Sequence, residues 1–377
     1  MKVRDDFDSI LVVVPAQLGD VLLCTPTIRT ARLRWPKARI DVLGFEGTLA
    51  LLGGNPDIDN LVTMSSSSKG GWRGRLGEIR RLWRRYDLAL VARATDRAHV
   101  AGWLAARRRS ALLPQHGGNR GWKQWLSQYH ADEVDGTPVV MRSMQLLAPW
   151  AKPAALLSVE PPPPLPLPAE LEAQLRHPCV VVQVPSMWRY KQWPTQHFRH
   201  VVEGLLADGT QVVLTGGPSP SDLAQVEPLR ALGREPELID GAGRLNLRQV
   251  RALLAHADAY LGPDTSVTHL AAAVDLPIVT VFGPTPPQSF GPWPHEHAPV
   301  QPWRARAQRQ QVGKVIVLQG PDRADRPGCV PCGRMGCEHH HDSASACLDG
   351  LAPERVLDEL RRILRERATS EARVDTP

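Results

Sequence analysis

Four short stretches of the chain combine carboxylate, ammonium, hydroxyl and glycine groups in ways that suit binding of a phosphate-bearing ligand. Pro15-Ala16-Gln17-Leu18-Gly19-Asp20 places a carboxylate just beyond an apolar run. Asp20 there suits either a helix cap or a general base turned toward a ligand. Arg189-Tyr190-Lys191-Gln192-Trp193-Pro194 contains one of only seven lysines in 377 residues. The Lys191 ammonium can meet phosphate as a point charge, or simply be solvated. Thr215-Gly216-Gly217-Pro218 offers paired glycines, which serve close approach of backbone N–H groups to a ligand or a tight turn. Gly262-Pro263-Asp264-Thr265-Ser266-Val267-Thr268-His269 opens an Ala-rich stretch. Thr265 and Ser266 bring hydroxyls and N–H groups to a helix start, an anion site by geometry and dipole, with His269 one turn in and Asp264 available as a cap. Neither Gly-x-Gly-x-x-Gly nor a P-loop is present. The set suits a diphosphate held without a metal.

Each stretch follows a strand-like run, and the surrounding pattern explains how they are positioned. In the first half, residues 10–14, 39–43, 60–64 and 87–92 read as strands, 20–35 and 73–86 as helices, and 49–52 as a short helix. Residues 161–168 hold six prolines, which cannot donate to a strand ladder and fix an extended backbone, so they read as a stiff linker. The alternation then restarts: strands at 180–184, 211–215, 238–240, 259–261 and 277–282, helices at 195–207, 222–232, 246–257 and 268–274. A polar tract at 303–349 precedes an amphipathic helix at 353–367. Strand–helix alternation implies two α/β domains with parallel sheets, and a cleft between two such domains is where ligands prefer to sit.

Composition is that of a globular chain, 42% hydrophobic and 22% charged. No apolar run approaches a membrane span, Asp5, Asp6 and Asp8 precede the first apolar run where a signal peptide would be basic, and six cysteines make no secreted disulfide framework. These features point to a soluble cytoplasmic protein. The net charge of +6 conceals a basic segment: from Lys69 to Lys123 fourteen basic residues face three acids. Such an excess attracts polyanions, or else is a solvated face in an Arg-rich composition. Aromatic platforms and recognition motifs for nucleic acid are missing, so no nucleic-acid partner is expected. Cys329, Cys332, Cys337, Cys347 and His339, His340 and His341 are residue types that suit a structural zinc. Their spacing matches no recognised finger, and the reading adopted is a loop of reduced thiols, with no cofactor.

Taken in order, Gly19-Asp20-Val21-Leu22-Leu23-Cys24-Thr25-Pro26, Gly54-Asn55-Pro56-Asp57-Ile58-Asp59, Lys191-Gln192-Trp193-Pro194, Thr215-Gly216-Gly217-Pro218, Asp264-Thr265 through His269-Leu270-Ala271-Ala272-Ala273, and Phe282-Gly283-Pro284-Thr285 resemble glycosyltransferase family 9, the bacterial ADP-heptose:lipopolysaccharide heptosyltransferases. Arg189 to Pro194 and the tail Cys329-Val330-Pro331-Cys332-Gly333, ending at Cys347-Leu348, look most like the heptosyltransferase III group. The resemblance implies a GT-B fold, α/β, with two Rossmann-like domains facing across a cleft: an acceptor domain at 1–160, the linker at 161–168, a nucleotide-sugar domain at 169–350, and a helix at 351–377 crossing back to the first domain. It implies inverting, metal-independent transfer. Asp20 would be the general base. Ser186, Lys191, Gly216, Gly217, Asp264, Thr265, Ser266 and His269 would hold the ADP-sugar donor. Arg80, Arg81, Arg84 and Arg85 would meet a lipid-anchored phosphorylated saccharide acceptor at the anionic inner membrane. Two positions depart from the family pattern: Ser266 stands where a glycine is common, and Ser219 follows the Gly-Gly-Pro motif where an acid often holds ribose, Asp222 being the nearest carboxylate. Two alternatives stay open, a related transferase using another sugar nucleotide and a non-catalytic sugar-nucleotide or glycan-binding protein. Ser266 leans toward the latter, and the retention of Asp20 and Lys191 leans against it.

Overall fold

The computed structural model describes residues 6–64, 80–117 and 119–374, with side chains through 370. The chain divides into two compact units. Unit 1 comprises residues 1–163 and 296–301, and unit 2 comprises 164–295 and 302–377. The division falls inside the proline-rich stretch. The return of residues 296–301 to unit 1 had no sequence signal; there His297 forms a bridge with Leu157 and the Gln301 side chain donates to the Gly136 carbonyl at 2.7 Å.

Unit 1 is a six-stranded sheet of β1 (Ser9–Val13), β2 (Arg39–Phe45), β3 (Asn60–Met64), β4 (Tyr86–Val91), β5 (Ala106–Pro114) and β6 (Tyr129–Glu133), in the order β3-β2-β1-β4-β5-β6 and parallel throughout. Side chains alternate between the two faces of a strand. Because β1 is apolar from Ile10 to Val13, it feeds a core on each face. Ile10 and Val12 join Ile28, Trp35 and Ile40 on one side, and Leu11 and Val13 join Leu43, Ala89 and Ala101 on the other. This two-sided burial is why the strand reads as an unbroken apolar run.

The single helix expected at 20–35 is two, α1 (Leu18–Leu22) and α2 (Thr25–Arg34). Pro26 sits in the first turn of α2, where its missing N–H costs nothing, and it cannot continue α1. The helices α3 (Asp96–Ala105), α4 (Arg120–Leu126) and α5 (Val139–Met144) complete the unit. Most of the basic helix expected at 73–86 lies outside the described residues; Arg80 to Leu82 are helical and Tyr86 already belongs to β4.

Unit 2 contains β7 (Cys179–Gln183), β8 (Gln211–Thr215), β9 (Leu238–Asp240), β10 (Ala259–Pro263), β11 (Ile278–Phe282), β12 (Arg309–Val312) and β13 (Val315–Gln319), in the order β12-β13-β11-β10-β7-β8-β9. All neighbours are parallel except the edge pair β12–β13. Its helices are α6 (Thr195–Ala207), α7 (Pro220–Arg230), α8 (Leu247–His256), α9 (Ser266–Ala273) and α10 (Pro353–Val374), with shorter turns between. With β12 set aside, both sheets share one strand order. In each, the first and fourth strands are neighbours whose crossovers run to opposite sides, and ligands in open α/β sheets favour the carboxyl ends of the strands at that switch point.

Within unit 2 the terminal helix α10 packs on α6, and Val356, Leu357, Leu360 and Ile363 enter the core of that unit. Gly204, in the middle of α6, makes the close approach possible: a Cβ at that position would lie 2.4 Å from Leu357 Cδ2.

Candidate active site

In unit 1 the switch point lies between β1 and β4. The chain leaves β1 into α1, whose N-cap is Gln17, so Asp20 stands in the first helical turn and is not the cap. Its carboxylate is one-fifth exposed and meets Arg93, from the segment after β4, with Oδ2 3.3 Å from Nη1. Arg93 also lies 3.8 Å from Glu133 Oε1 at the end of β6, and Glu133 accepts from Arg142 Nη1 of α5 at 2.9 Å. Burial lowers the affinity of the Arg142 guanidinium for its proton, while the Glu133 and Asp20 charges oppose that effect. Cys24 is fully buried nearby. Burial first, and then the Asp20 charge, push its thiol up to about 12, so it stays protonated. Sequence reading singled out Asp20 and missed Arg93, Glu133 and Arg142, because the strands that bring them together, β4 and β6, are distant in sequence and β6 is half polar.

In unit 2 the corresponding point lies between β7 and β10. A single 3₁₀ turn, Arg189–Lys191, presents Lys191. Its Nζ lies 2.7 Å from Asp264 Oδ2 at the end of β10, near the faces of Tyr190 and Phe290. Asp264 is buried and is not the cap of α9; the N-cap is Thr265, without a side-chain capping bond. The first turn of α9 therefore keeps its N–H groups unclaimed by a cap, with the Thr265 and Ser266 hydroxyls beside them. His269, one turn on, is buried. The Thr268 hydroxyl donates to the Pro263 carbonyl at 2.6 Å and lies 2.9 Å from the Tyr260 hydroxyl, which fixes the strand–helix junction.

Ser186 is buried, its N–H donates to Gln225 at 3.4 Å and its carbonyl accepts from Gln192 at 2.8 Å. Gly216 and Gly217 adopt no left-handed conformation. A Cβ at Gly216 would lie 2.9 Å from Pro185, and one at Gly217 would lie 2.5 Å from Asp222 Oδ2. Close packing against the Pro185 ring, rather than a turn that demands positive φ, favours glycine at Gly216, whereas at Gly217 only the movable end of Asp222 stands in the way. Ser219 caps α7 by accepting from the Asp222 N–H, and the Asp222 carboxylate stands over Gly217.

The four candidate acceptor arginines, Arg80, Arg81, Arg84 and Arg85, are exposed. Arg81 donates to the Thr63 carbonyl, and Arg84, with φ of 51°, donates to Ala106 and lies over Trp83 and Trp103. Elsewhere the basic segment is partly internal. Arg109 is buried with donors on Ala106 and Leu126, and Lys123 is buried between the Ala94 carbonyl and Asp96.

In the cysteine-rich tail, Cys329 accepts from the Arg323 N–H and Cys337 from the Ala346 N–H, both at 3.4 Å. Burial, then the neighbouring Cys332 and Cys337, push the Cys347 thiol up to about 12. His341 stacks on Trp188 at 4.0 Å and His340 pairs with Glu338. Among the described residues, no three His, Cys, Asp or Glu side chains are arranged to hold a metal ion.

The sequence pattern of glycosyltransferase family 9 (heptosyltransferase) matches residues 79–314. This chain belongs to that family and is a glycosyltransferase. It is 32% identical over 301 residues to lipopolysaccharide heptosyltransferase 3 of Escherichia coli K12, covering 73% of this chain and 82% of that protein. The fold is similar to that of E. coli ADP-heptose lps heptosyltransferase II, with a TM-score of 0.69 at 21% identity over 96% of this chain and 99% of that one. It is also similar to E. coli heptosyltransferase WaaC with ADP, with a TM-score of 0.69 at 17% identity over 94% and 99%. The architecture is thus the GT-B arrangement of two parallel-sheet α/β units.

Proposed function

We propose that the enzyme transfers a heptose from ADP-heptose to a phosphorylated saccharide of the lipopolysaccharide inner core, with inversion and without a metal. The observation that carries this reading is the placement of Asp20 and Lys191 at the two switch points, each on the loop or turn after the first strand of its unit. Asp20 takes the proton of the acceptor hydroxyl as that oxygen bonds to the anomeric carbon. The bond from that carbon to the β-phosphate oxygen breaks, and ADP leaves with the electron pair. Inverting displacement needs one base and a stabilised leaving group. Lys191, displaced from Asp264 by the diphosphate, and the first turn of α9 supply the positive charge that a metal supplies in other transferases. Ser186, Gly216, Gly217, Thr265, Ser266 and His269 complete the donor site. Lipopolysaccharide and ADP-heptose enter the reading from the names of the relatives and neighbours. The lipid-anchored acceptor places the enzyme at the inner face of the cytoplasmic membrane. None of the helices among the described residues is long and apolar enough to cross a membrane, so any contact would be peripheral, and Arg80, Arg81, Arg84 and Arg85 are its candidates.

The test is transfer from a panel of sugar nucleotides to a heptose-truncated core acceptor in excess EDTA. The expected result is product from ADP-heptose alone, with inverted anomeric configuration and an undiminished rate. An absolute requirement for Mg²⁺ or Mn²⁺ would contradict the proposal.

A further inference from the structure

Asp20, Arg93, Glu133 and Arg142 form a row of alternating charge. Arg93 Nη1 is 3.3 Å from Asp20 and 3.8 Å from Glu133, and Glu133 receives Arg142 at 2.9 Å. The row gathers α1, the segment after β4, the end of β6 and α5, and it terminates on the residue read above as the base. Two details are not explained by fastening the fold. A charge-assisted N–H to carboxylate bond usually spans about 2.7–2.9 Å, so Arg93 is held back from both of its carboxylates. Arg142 is nine-tenths buried, yet its Nε and Nη2 have no hydrogen-bond partner among the described residues. Leaving buried donors unmet is costly, and an arginine serving only to tie elements together would use its whole fork.

We infer that Arg93 is a positioning residue for the transfer: shared between Asp20 and Glu133, its guanidinium engages Oδ2 of Asp20 and leaves Oδ1 to receive the acceptor proton. Glu133, fixed by Arg142, holds the other side of Arg93, so that Asp20 is oriented by a shared guanidinium instead of being locked in a tight ion pair. Among the described residues, Cys24, protonated on the α1–α2 connection, and Asp135, which acts on Arg142, also lie in electrostatic reach of members of the row. This inference rests on the reading of Asp20 as the base and concerns what sets its orientation.

Arg93→Gln, Arg93→Lys, Glu133→Gln and Asp20→Asn are compared in the full-length enzyme for kcat, for KM of donor and acceptor, and for Tm. Arg93→Gln is expected to lower kcat about tenfold while leaving both KM values within twofold and Tm unchanged, the signature of a lost orientation of the base. Arg93→Lys should restore most of the rate. Glu133→Gln, which removes the second anchor of Arg93, should lower kcat by a smaller factor, again at unchanged KM. If Glu133→Gln fails to fold because Arg142 is stranded, the two Arg93 variants still decide. An unchanged kcat in Arg93→Gln overturns the inference, as does a loss confined to acceptor KM, which would make Arg93 an acceptor contact. Asp20→Asn separates the two levels. If it is silent, the reading of the base fails; if it is inactive while Arg93→Gln is silent, only the role of Arg93 fails.

Discussion

The two switch points carry the same device with its polarity reversed. In unit 1 the first strand leads to a carboxylate and the fourth to its cation; in unit 2 the first leads to the cation and the fourth to its carboxylate. The pairs differ in closeness. Lys191 and Asp264 stand at 2.7 Å with Asp264 buried, whereas Asp20 and Arg93 stand at 3.3 Å with Arg93 shared by a second acid. The group proposed to meet substrate is in each case the one that follows the first strand, and each is one-fifth exposed. A loose pair suits a base that must accept a proton during the reaction. A tight pair suits a cation stored against an internal anion until a diphosphate of greater charge displaces it. On the proposed reading, one strand order with opposite charges yields a proton acceptor in one unit and a phosphate-binding cation in the other.

The comparison breaks most sharply at Asp20. Asp20→Asn is expected to keep the fold and donor affinity and to cut turnover by ~10²–10⁴, the usual worth of general-base catalysis; turnover within threefold of the parent enzyme would remove the asymmetry between the units. Lys191→Ala should have the next largest effect. Loss of a hydrogen bond to a charged group is worth about 1.5–3 kcal/mol, so ADP binding measured by calorimetry should weaken roughly 10- to 100-fold. An unchanged ADP affinity would mean that Lys191 belongs to Asp264 and not to the donor.

Much of this was legible in the sequence, for identifiable reasons. β1, β7 and β11 are buried on both faces and so announce themselves as apolar runs, and the functional loops were found because they follow such strands. Where charge overlies a strand the signal fails: β5 opens with Ala106-Arg107-Arg108-Arg109, and Arg109 is buried only because its donors reach the carbonyls of Ala106 and Leu126. β13 was within reach, since Val315-Ile316-Val317-Leu318 is a plain apolar run inside a tract otherwise read as polar. Asp20 and Lys191 could be picked out as rare groups at strand ends. Their pairing with Arg93 and Asp264 could not, because pairing of β1 with β4 and of β7 with β10 is decided by topology and leaves no local mark. The destination of α10 was equally hidden. Its apolar stripe says that it packs, and only Gly204 beneath Leu357 says where.

The third expected effect concerns the acceptor side of the comparison. Arg81 and Arg84 each hold a main-chain carbonyl, so Arg80 and Arg85 are the cleaner probes of membrane attraction. Each well-placed arginine contributes about 1 kcal/mol near an anionic surface, so the Arg80→Gln/Arg85→Gln double variant should bind anionic vesicles about 30-fold more weakly at low salt, less so as salt rises. Binding to neutral vesicles and ADP affinity should be unchanged. Equal binding of variant and parent to anionic vesicles would make these arginines an ordinary solvated face.

The central claim is the division of labour between the base of unit 1 and the phosphate cation of unit 2, and a paired measurement tests it most directly: ADP affinity by titration calorimetry and single-turnover rate at saturating ADP-heptose, each taken for Asp20→Asn and Lys191→Ala. The account predicts a crossed result, with Asp20→Asn losing the rate at unchanged ADP affinity and Lys191→Ala losing ADP affinity. If Asp20→Asn weakened ADP as much as Lys191→Ala does, or turned over at the parental rate, the account would be wrong.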